Sequence, residues 1–183
     1  IDTSLVDLTR LNLPDKYIVA SGSVLIKKSN IAYFQLLEKL SKFLNLQVIY
    51  IASCQVDKAC KDLILKKYNY MYFDNSDLNV EEVQKLINNS YLFYSGRFHL
   101  NIFSITAGKI FVPFTTNTIK MDGLIELIDY PLDVIKLDGF DLENEFRNIK
   151  MLIENREEIE LKLIEFSKLF SKKIKNMYFN LVK

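Results

Sequence analysis

Residues 91–114 read YLFYSGRFHLNIFSITAGKIFVPF, and this stretch decides the fold. Tyr91-Leu92-Phe93-Tyr94-Ser95 is an apolar, aromatic run stopped by Gly96. Arg97 to Ala107 follows helical spacing and ends at Gly108, a residue suited to a helix C-terminal cap. Lys109-Ile110-Phe111-Val112-Pro113-Phe114 is a second apolar run. Neither run alternates apolar with polar residues, so each reads as a strand buried on both faces. A strand–helix–strand unit of that kind belongs to a parallel sheet with right-handed connections.

The same grammar extends in both directions. Upstream, Tyr17-Ile18-Val19-Ala20-Ser21 follows the turn residues Leu13-Pro14-Asp15-Lys16 and ends at Gly22. Ile31, Phe34, Leu37, Leu40 and Leu44 predict a helix over 30–44, and Gln47–Ala52 a second strand. A helix over Val56–Lys67, a strand at Tyr70–Phe73 and a helix over Val80–Asn89 follow. Asn79 is the expected cap of that last helix, with Glu81 and Glu82 in its first turn, where the dipole favours acids. Downstream, Asp122–Ile128 reads as a short helix and Val134–Leu137 as an edge strand. Beyond Asp141 there is no strand signal, and Leu142 to Lys183 reads as one or two long helices broken near Asn155. The expected fold class is α/β: a Rossmann-like, doubly wound parallel sheet over residues 1–140, with a C-terminal helical extension, 141–183, packed on the same domain.

Composition narrows the function classes. A chain of 183 residues that is 49% hydrophobic and 13% aromatic can build its own core. A formal net charge of +1 gives no electrostatic footprint for nucleic acid. Cys54 and Cys60 match no common zinc or thioredoxin spacing and read as buried free thiols in a reducing compartment. No signal peptide and no apolar run of about 18 residues is present, so a cytoplasmic location is expected. The chain begins Ile1-Asp2-Thr3 without Met and reads as a piece of a longer protein. Phe166 to Lys183 interleaves Lys168, Lys172, Lys173, Lys175 and Lys183 with Phe170, Ile174, Tyr178 and Leu181. That pattern suits either peripheral contact with the inner face of a membrane or a packed helix with a solvated lysine face, and the second is the commoner use.

Ligands of open α/β sheets bind beyond the carboxyl ends of the strands. Five loops qualify: Ser21-Gly22-Ser23, Ser53-Cys54-Gln55, Asp74-Asn75-Ser76, Ser95-Gly96-Arg97-Phe98-His99 and Thr115-Thr116-Asn117-Thr118. Gly22 stands where a turn can approach a phosphate, but without further glycines it reads first as a turn residue. The fourth loop is the richest. It carries Arg97, one of four arginines, and His99, the single histidine. Arg supplies a planar fork for carboxylate or phosphate, His titrates near neutral pH, and a helix N-terminus attracts anions. The competing structural reading pairs Arg97 with an acid such as Asp74. Thr116 and Asn117 offer small hydrogen-bonding groups, for a ligand or for capping the next helix, and Lys120 follows them. No His/Asp/Glu cluster suited to a metal is visible.

Arg97-x-His99, an apolar helix reaching Gly108 eleven residues after Arg97, a strand, and Lys120-x-x-Gly123-Leu124 together resemble the polysaccharide pyruvyl transferase family. The strong part of the resemblance spans about Tyr91–Tyr130. Phe98 stands where the family has Leu, and Ile110 where it tends to have Pro. An Arg that the family carries after the first strand is absent from Ser21-Gly22-Ser23, with only Lys27 and Lys28 beyond.

The resemblance implies the C-terminal, donor-binding half of a GT-B-type transferase, with a missing N-terminal half that helps bind the acceptor. The donor would be phosphoenolpyruvate, the acceptor a cell-surface sugar or polysaccharide, and no cofactor or metal would be needed. Arg97 and His99 would be catalytic. Gly96, Ser21, Gly22, Thr116, Asn117 and Lys120 would line the donor site with them. The half by itself would be inactive. Two other readings stay open. One is a nucleotide-sugar glycosyltransferase of the same architecture, for which Glu126 is the available ribose-binding acid. The other is a non-catalytic binding or assembly module derived from such a domain.

Overall fold

The central strand of the sheet is β1 (Tyr17–Ser21), buried at all five positions. It lies between β2 (Gln47–Ala52) and β4 (Leu92–Ser95), with β3 (Met71–Asp74) and β5 (Phe111–Pro113) outermost. The order is β3-β2-β1-β4-β5 and every pairing is parallel. Full burial on both faces explains the absence of period-two alternation in β1 and β4. The computed structural model describes residues 3–23, 25, 31–74 and 76–181, with side chains as far as Lys173. Lys27, Lys28 and the side chains of the C-terminal basic stretch beyond Lys173 lie outside the described residues.

Register assigns the helices to faces. Tyr50 pairs with Ala20, and Ala20 with Tyr94, so these three side chains point to one side. Helix α1 (Ile31–Leu44) covers that side, with Tyr33 packed on Tyr94 at 4.8 Å and Phe34 on Tyr50 at 6.4 Å between ring centroids. The Tyr33 hydroxyl donates to Ser21 O (2.7 Å) and the Tyr94 hydroxyl to Tyr33 O (2.8 Å), which locks α1 over the carboxyl end of β1. Tyr17 points to the other side, where its hydroxyl donates to Leu86 O in α4 (Val80–Asn89) at 3.2 Å. The Asn79 cap expected at this helix is present, and Glu82 closes it into a capping box. Asn79 Oδ1 accepts from Glu82 N (2.9 Å), and Glu82 Oε2 accepts from Asn79 N (2.8 Å).

Two sequence expectations are corrected. The single helix over Val56–Lys67 is three pieces: α2 (Gln55–Lys58), α3 (Lys61–Leu63) and a π turn (Ile64–Tyr68). Cys60 N bonds three residues back to Asp57 O (3.0 Å), which tightens the chain and breaks the helical ladder. The wide turn then buries Ile64 and stacks Tyr68 on Phe34 at 5.7 Å. The edge strand Val134–Leu137 shrinks to one bridge, Phe114↔Ile135. Its chain turns away two residues after Leu137, at Gly139, whose φ is 69°.

Helix α5 (Phe98–Thr106) ends at Gly108, with φ 64°. A Cβ there would stand 2.3 Å from Ile164 Cγ1, so this glycine also admits α8 (Arg156–Leu181) against α5. The sheet is followed by α6 (Lys120–Leu127) and α7 (Leu142–Glu154), and Asn155 separates α7 from α8, as the sequence predicts. Helix α7 packs on α1 on one side of the sheet and α8 on α5, and Ile149, Leu152, Ile159 and Leu163 join the core. No helix among the described residues is long and apolar enough to cross a membrane.

Candidate functional site

The topological switch point lies between β1 and β4, because the chain leaves β1 toward β2 on one side and leaves β4 toward β5 on the other. Their two loops are knitted together. Gly96 N donates to Gly22 O (3.1 Å), Arg97 N to Ser95 Oγ (2.9 Å), and Ser23 Oγ to Thr115 O in the loop after β5 (2.8 Å). Both glycines are needed for close approach. A Cβ on Gly96 would meet Ser23 Cβ at 2.4 Å, and one on Gly22 would meet Asp57 Oδ1 at 2.0 Å and the Tyr50 hydroxyl at 2.9 Å. Gly22 therefore has a packing role that an ordinary turn glycine would not have.

Arg97 does pair with an acid, but with Asp57 rather than Asp74. Its Nε donates to Asp57 Oδ2 (3.1 Å) and its Nη2 to Asp57 Oδ1 (2.6 Å), a bidentate fork, and Nη2 also lies 2.7 Å from Cys54 Sγ. The Arg97 side chain is 15% exposed and that of Asp57 1%. Burial would lower the guanidinium pKa, yet the hydrogen bonds and charge of Asp57 carry it above its ordinary value. Asp74 instead faces Lys58 at 3.5 Å and accepts from Ser76 N. Cys60 is buried, as expected, with its Sγ 4.0 Å from Val56 O, while Cys54 is half-buried against Arg97. Sequence reasoning missed Asp57, which lies unremarked within the helix expected over Val56–Lys67.

Ser21 is fully buried at the end of β1, and its Oγ has no hydrogen-bond partner among the described residues. Asn101, fully buried in α5, donates to Ser95 O (3.1 Å) and leaves its own Oδ1 without one. His99 is exposed in the first turn of α5, and its one described contact is edge-on with Phe98 at 5.6 Å. No side chain caps α5, so its first-turn amides receive no acceptor from the N-cap residue. Thr116 is turned onto its own loop, donating to Thr118 O (2.7 Å) and accepting from Thr118 N (3.3 Å). It does not cap α6, whose N-cap is Ile119. Asn117 and Lys120 are exposed. The structure thus brings Ser21, Gly22, Gly96 and Arg97 together; the loop carrying Thr116 and Asn117, which leads to Lys120 at the start of α6, joins them through Ser23 and Thr115.

Two grooves lie elsewhere. One, of about 690 Å³, runs between residues 128–135 and helices α7 and α8; a neighbouring one, of about 640 Å³, adds Asp122, Glu126 and Asp138. Neither is lined by Arg97 or His99. Among the described residues no group of three or more His, Cys, Asp or Glu side chains is placed to hold a metal.

Comparison with known proteins agrees with this layout. The sequence model of the family described as polysaccharide pyruvyl transferase matches residues 5–118. The match takes in all five strands and the Arg97-Phe98-His99 segment, and it stops before Lys120-x-x-Gly123. No curated protein sequence matches significantly. A putative UDP-N-acetylglucosamine 2-epimerase from Listeria monocytogenes superposes with TM-score 0.61 at 12% identity, over 90% of this chain and 43% of that one. The Methanocaldococcus jannaschii UDP-GlcNAc 2-epimerase, in complex with UDP-GlcNAc and UDP, gives 0.64 at 8% identity, over 88% and 47%. A glycotransferase of kitacinnamycin gives 0.56 at 8% identity, over 85% and 39%. At such identities the likeness is one of fold: the chain has the Rossmann-like architecture of one half of a GT-B-type enzyme. It spans less than half the length of these structures.

Proposed function

Because the chain belongs to the polysaccharide pyruvyl transferase family, we propose that it is the donor-binding half of such a transferase, moving pyruvyl from phosphoenolpyruvate to hydroxyls of a cell-surface sugar. The observation that carries this reading is the placement of Arg97 at the β1/β4 switch point, beside the uncapped N-terminus of α5. Phosphoenolpyruvate offers a phosphate and a carboxylate. Arg97 uses Nε and Nη2 on Asp57 and Cys54, and its Nη1 has no partner among the described residues, so that edge of the fork takes one of the two anions. The first-turn amides of α5 take the other. His99, exposed in that same first turn, supplies the proton.

The reaction balances without a redox step. The methylene carbon gains a proton, two sugar hydroxyls add to the resulting cationic centre, and the C–O bond to phosphate breaks. One hydroxyl proton replaces the one given to the methylene and the other departs with phosphate. The acceptor is held by a second half, which the GT-B architecture places across the carboxyl edge of this sheet.

Calorimetric titration with phosphoenolpyruvate, and with UDP and CMP for comparison, tests the donor. Binding of phosphoenolpyruvate that is lost in Arg97→Lys, a change that keeps the charge and removes the fork, supports the proposal. Binding of a nucleotide instead would move the protein to the nucleotide-sugar transferases, a reading favoured by the UDP in one of the structures of like fold. In a complete two-half enzyme, His99→Ala should lower kcat by about 10²–10⁴-fold, the usual worth of general acid–base catalysis, without changing Tm.

A further inference from the structure

We propose that Asp57 is a positioning residue for Arg97, holding the guanidinium so that its Nη1 edge alone is presented to an anion. The assignment deepens the donor reading above and rests on it for the identity of the anion, not for the geometry.

The geometry follows from strand order. Asp57 comes from the loop and short helix after β2, Arg97 from the loop after β4, and β1 runs between these two strands. The pair therefore closes across the end of β1, where the residue is Gly22. Any side chain at that position would occupy the space of the carboxylate, since a Cβ would lie 2.0 Å from Asp57 Oδ1. The carboxylate is itself held. Its Oδ2 accepts from Ser53 N (3.0 Å) and Ser53 Oγ (2.9 Å) as well as from Arg97 Nε (3.1 Å), and Oδ1 accepts from Arg97 Nη2 (2.6 Å). Four donors on two oxygens satisfy a carboxylate that is 1% exposed. On the other partner, Nε and Nη2 are engaged, Nη2 with Cys54 Sγ as well. A guanidinium is a rigid plane, so fixing its Nε–Nη2 edge fixes the direction of Nη1. A binding group with its orientation set in advance loses less freedom when the ligand arrives.

The four arginines make the test direct, because each gives one Nε–H resonance in a ¹⁵N spectrum and Arg97→Lys assigns one of them. In the wild-type chain the Arg97 signal should exchange slowly with water and show hindered guanidinium rotation. Asp57→Asn, which keeps the shape and removes the charge, should abolish both, and Gly22→Ala should do the same by displacing the carboxylate. Titrated with phosphoenolpyruvate, Asp57→Asn should weaken Kd by about tenfold, the size typical of losing a group that orients a ligand-binding side chain. Added to Arg97→Lys, it should cause no further loss. If Asp57→Asn fails to fold, Ser53→Ala is the milder variant; it removes one bond to the carboxylate, leaves the charges, and must shift the Arg97 signal and Kd the same way. An unchanged Arg97 resonance in Asp57→Asn, or losses that simply add in the double variant, would overturn the assignment. If the wild type takes up no phosphoenolpyruvate while the resonances behave as described, the donor reading falls and the positioning role stands.

Discussion

Two of the Arg–carboxylate pairs among the described residues, Arg97–Asp57 and Arg10–Glu82, are alike in length and differ in what surrounds them. Arg97 and Asp57 meet at the carboxyl edge of the sheet, with side chains 15% and 1% exposed. Arg10 and Glu82 meet at the start of α4 at 2.6 Å, with side chains 53% and 11% exposed. At the first pair both partners give up water, and each oxygen and most of the guanidinium find replacements inside the protein. At the second, Arg10 is largely solvated and Glu82 has a different main occupation, accepting from Asn79 N in the capping box. The lesson is one of dependence. A buried ion pair ties its loops together because neither member tolerates loss of the other, whereas an exposed one adds little to a helix end that is already closed.

The contrast can be broken most forcefully at Asp57. Asp57→Ala leaves the Arg97 charge without its counter-ion and should cost about 3–5 kcal/mol in urea unfolding; a loss as small as that of Arg10→Ala, expected below about 1 kcal/mol, would erase the distinction. A smaller effect separates the glycines. Gly22→Ala places a methyl against the Asp57 carboxylate and should cost about 1–3 kcal/mol. Gly123→Ala, in α6 with nothing within 4 Å of the added atom, should stabilise by about 0.4–1 kcal/mol on the same assay.

The smallest effect is one of pH. The Asn79 backbone N–H, and after it the bond from Arg10, hold the Glu82 carboxyl below its ordinary 4.5 against the opposing pull of burial. A carboxyl depressed in the folded state contributes stability that is fully present above the unfolded value and is lost as pH falls through the folded one. The Tm difference between wild type and Glu82→Gln should therefore be largest near neutrality and shrink as pH drops below about 4.5. A difference independent of pH would assign the whole effect to the neutral hydrogen bonds of the cap.

Legibility in the sequence tracks locality. The Asn79 cap was readable because Asn79 stands directly before a helical segment that has Glu81 and Glu82 in its first turn, while the return bond from Glu82 to Asn79 N came only with the structure. The strands at Tyr17–Ser21, Gln47–Ala52 and Leu92–Ser95 were readable because burial on both faces writes an unbroken apolar run. The break at Cys60 and the π turn that follows were not, since Val56 to Lys67 keeps helical periodicity and the interruption comes from a backbone bond to Asp57 O. The strand expected at Val134–Leu137 had the right residue types, but only Ile135 bridges to Phe114 before the chain turns at Gly139. At the site, Gly96-Arg97-Phe98-His99 was visible as a glycine-stopped strand feeding a helix, and its resemblance to the family motif agrees with the match over residues 5–118. The acid facing Arg97 was sought at Asp74 and found at Asp57.

By itself the sequence determined the alternation of strands and helices, the parallel sheet, and the loops at its carboxyl edge, because burial periodicity and glycine stops are properties of neighbouring residues. Only the tertiary structure decided which acid holds Arg97 and why residue 22 is glycine. Those two facts depend on strand order, β2-β1-β4, which sets the loops after β2 and β4 on either side of the end of β1. Arg97 and Asp57 are 40 residues apart in the chain, and no periodic pattern connects them.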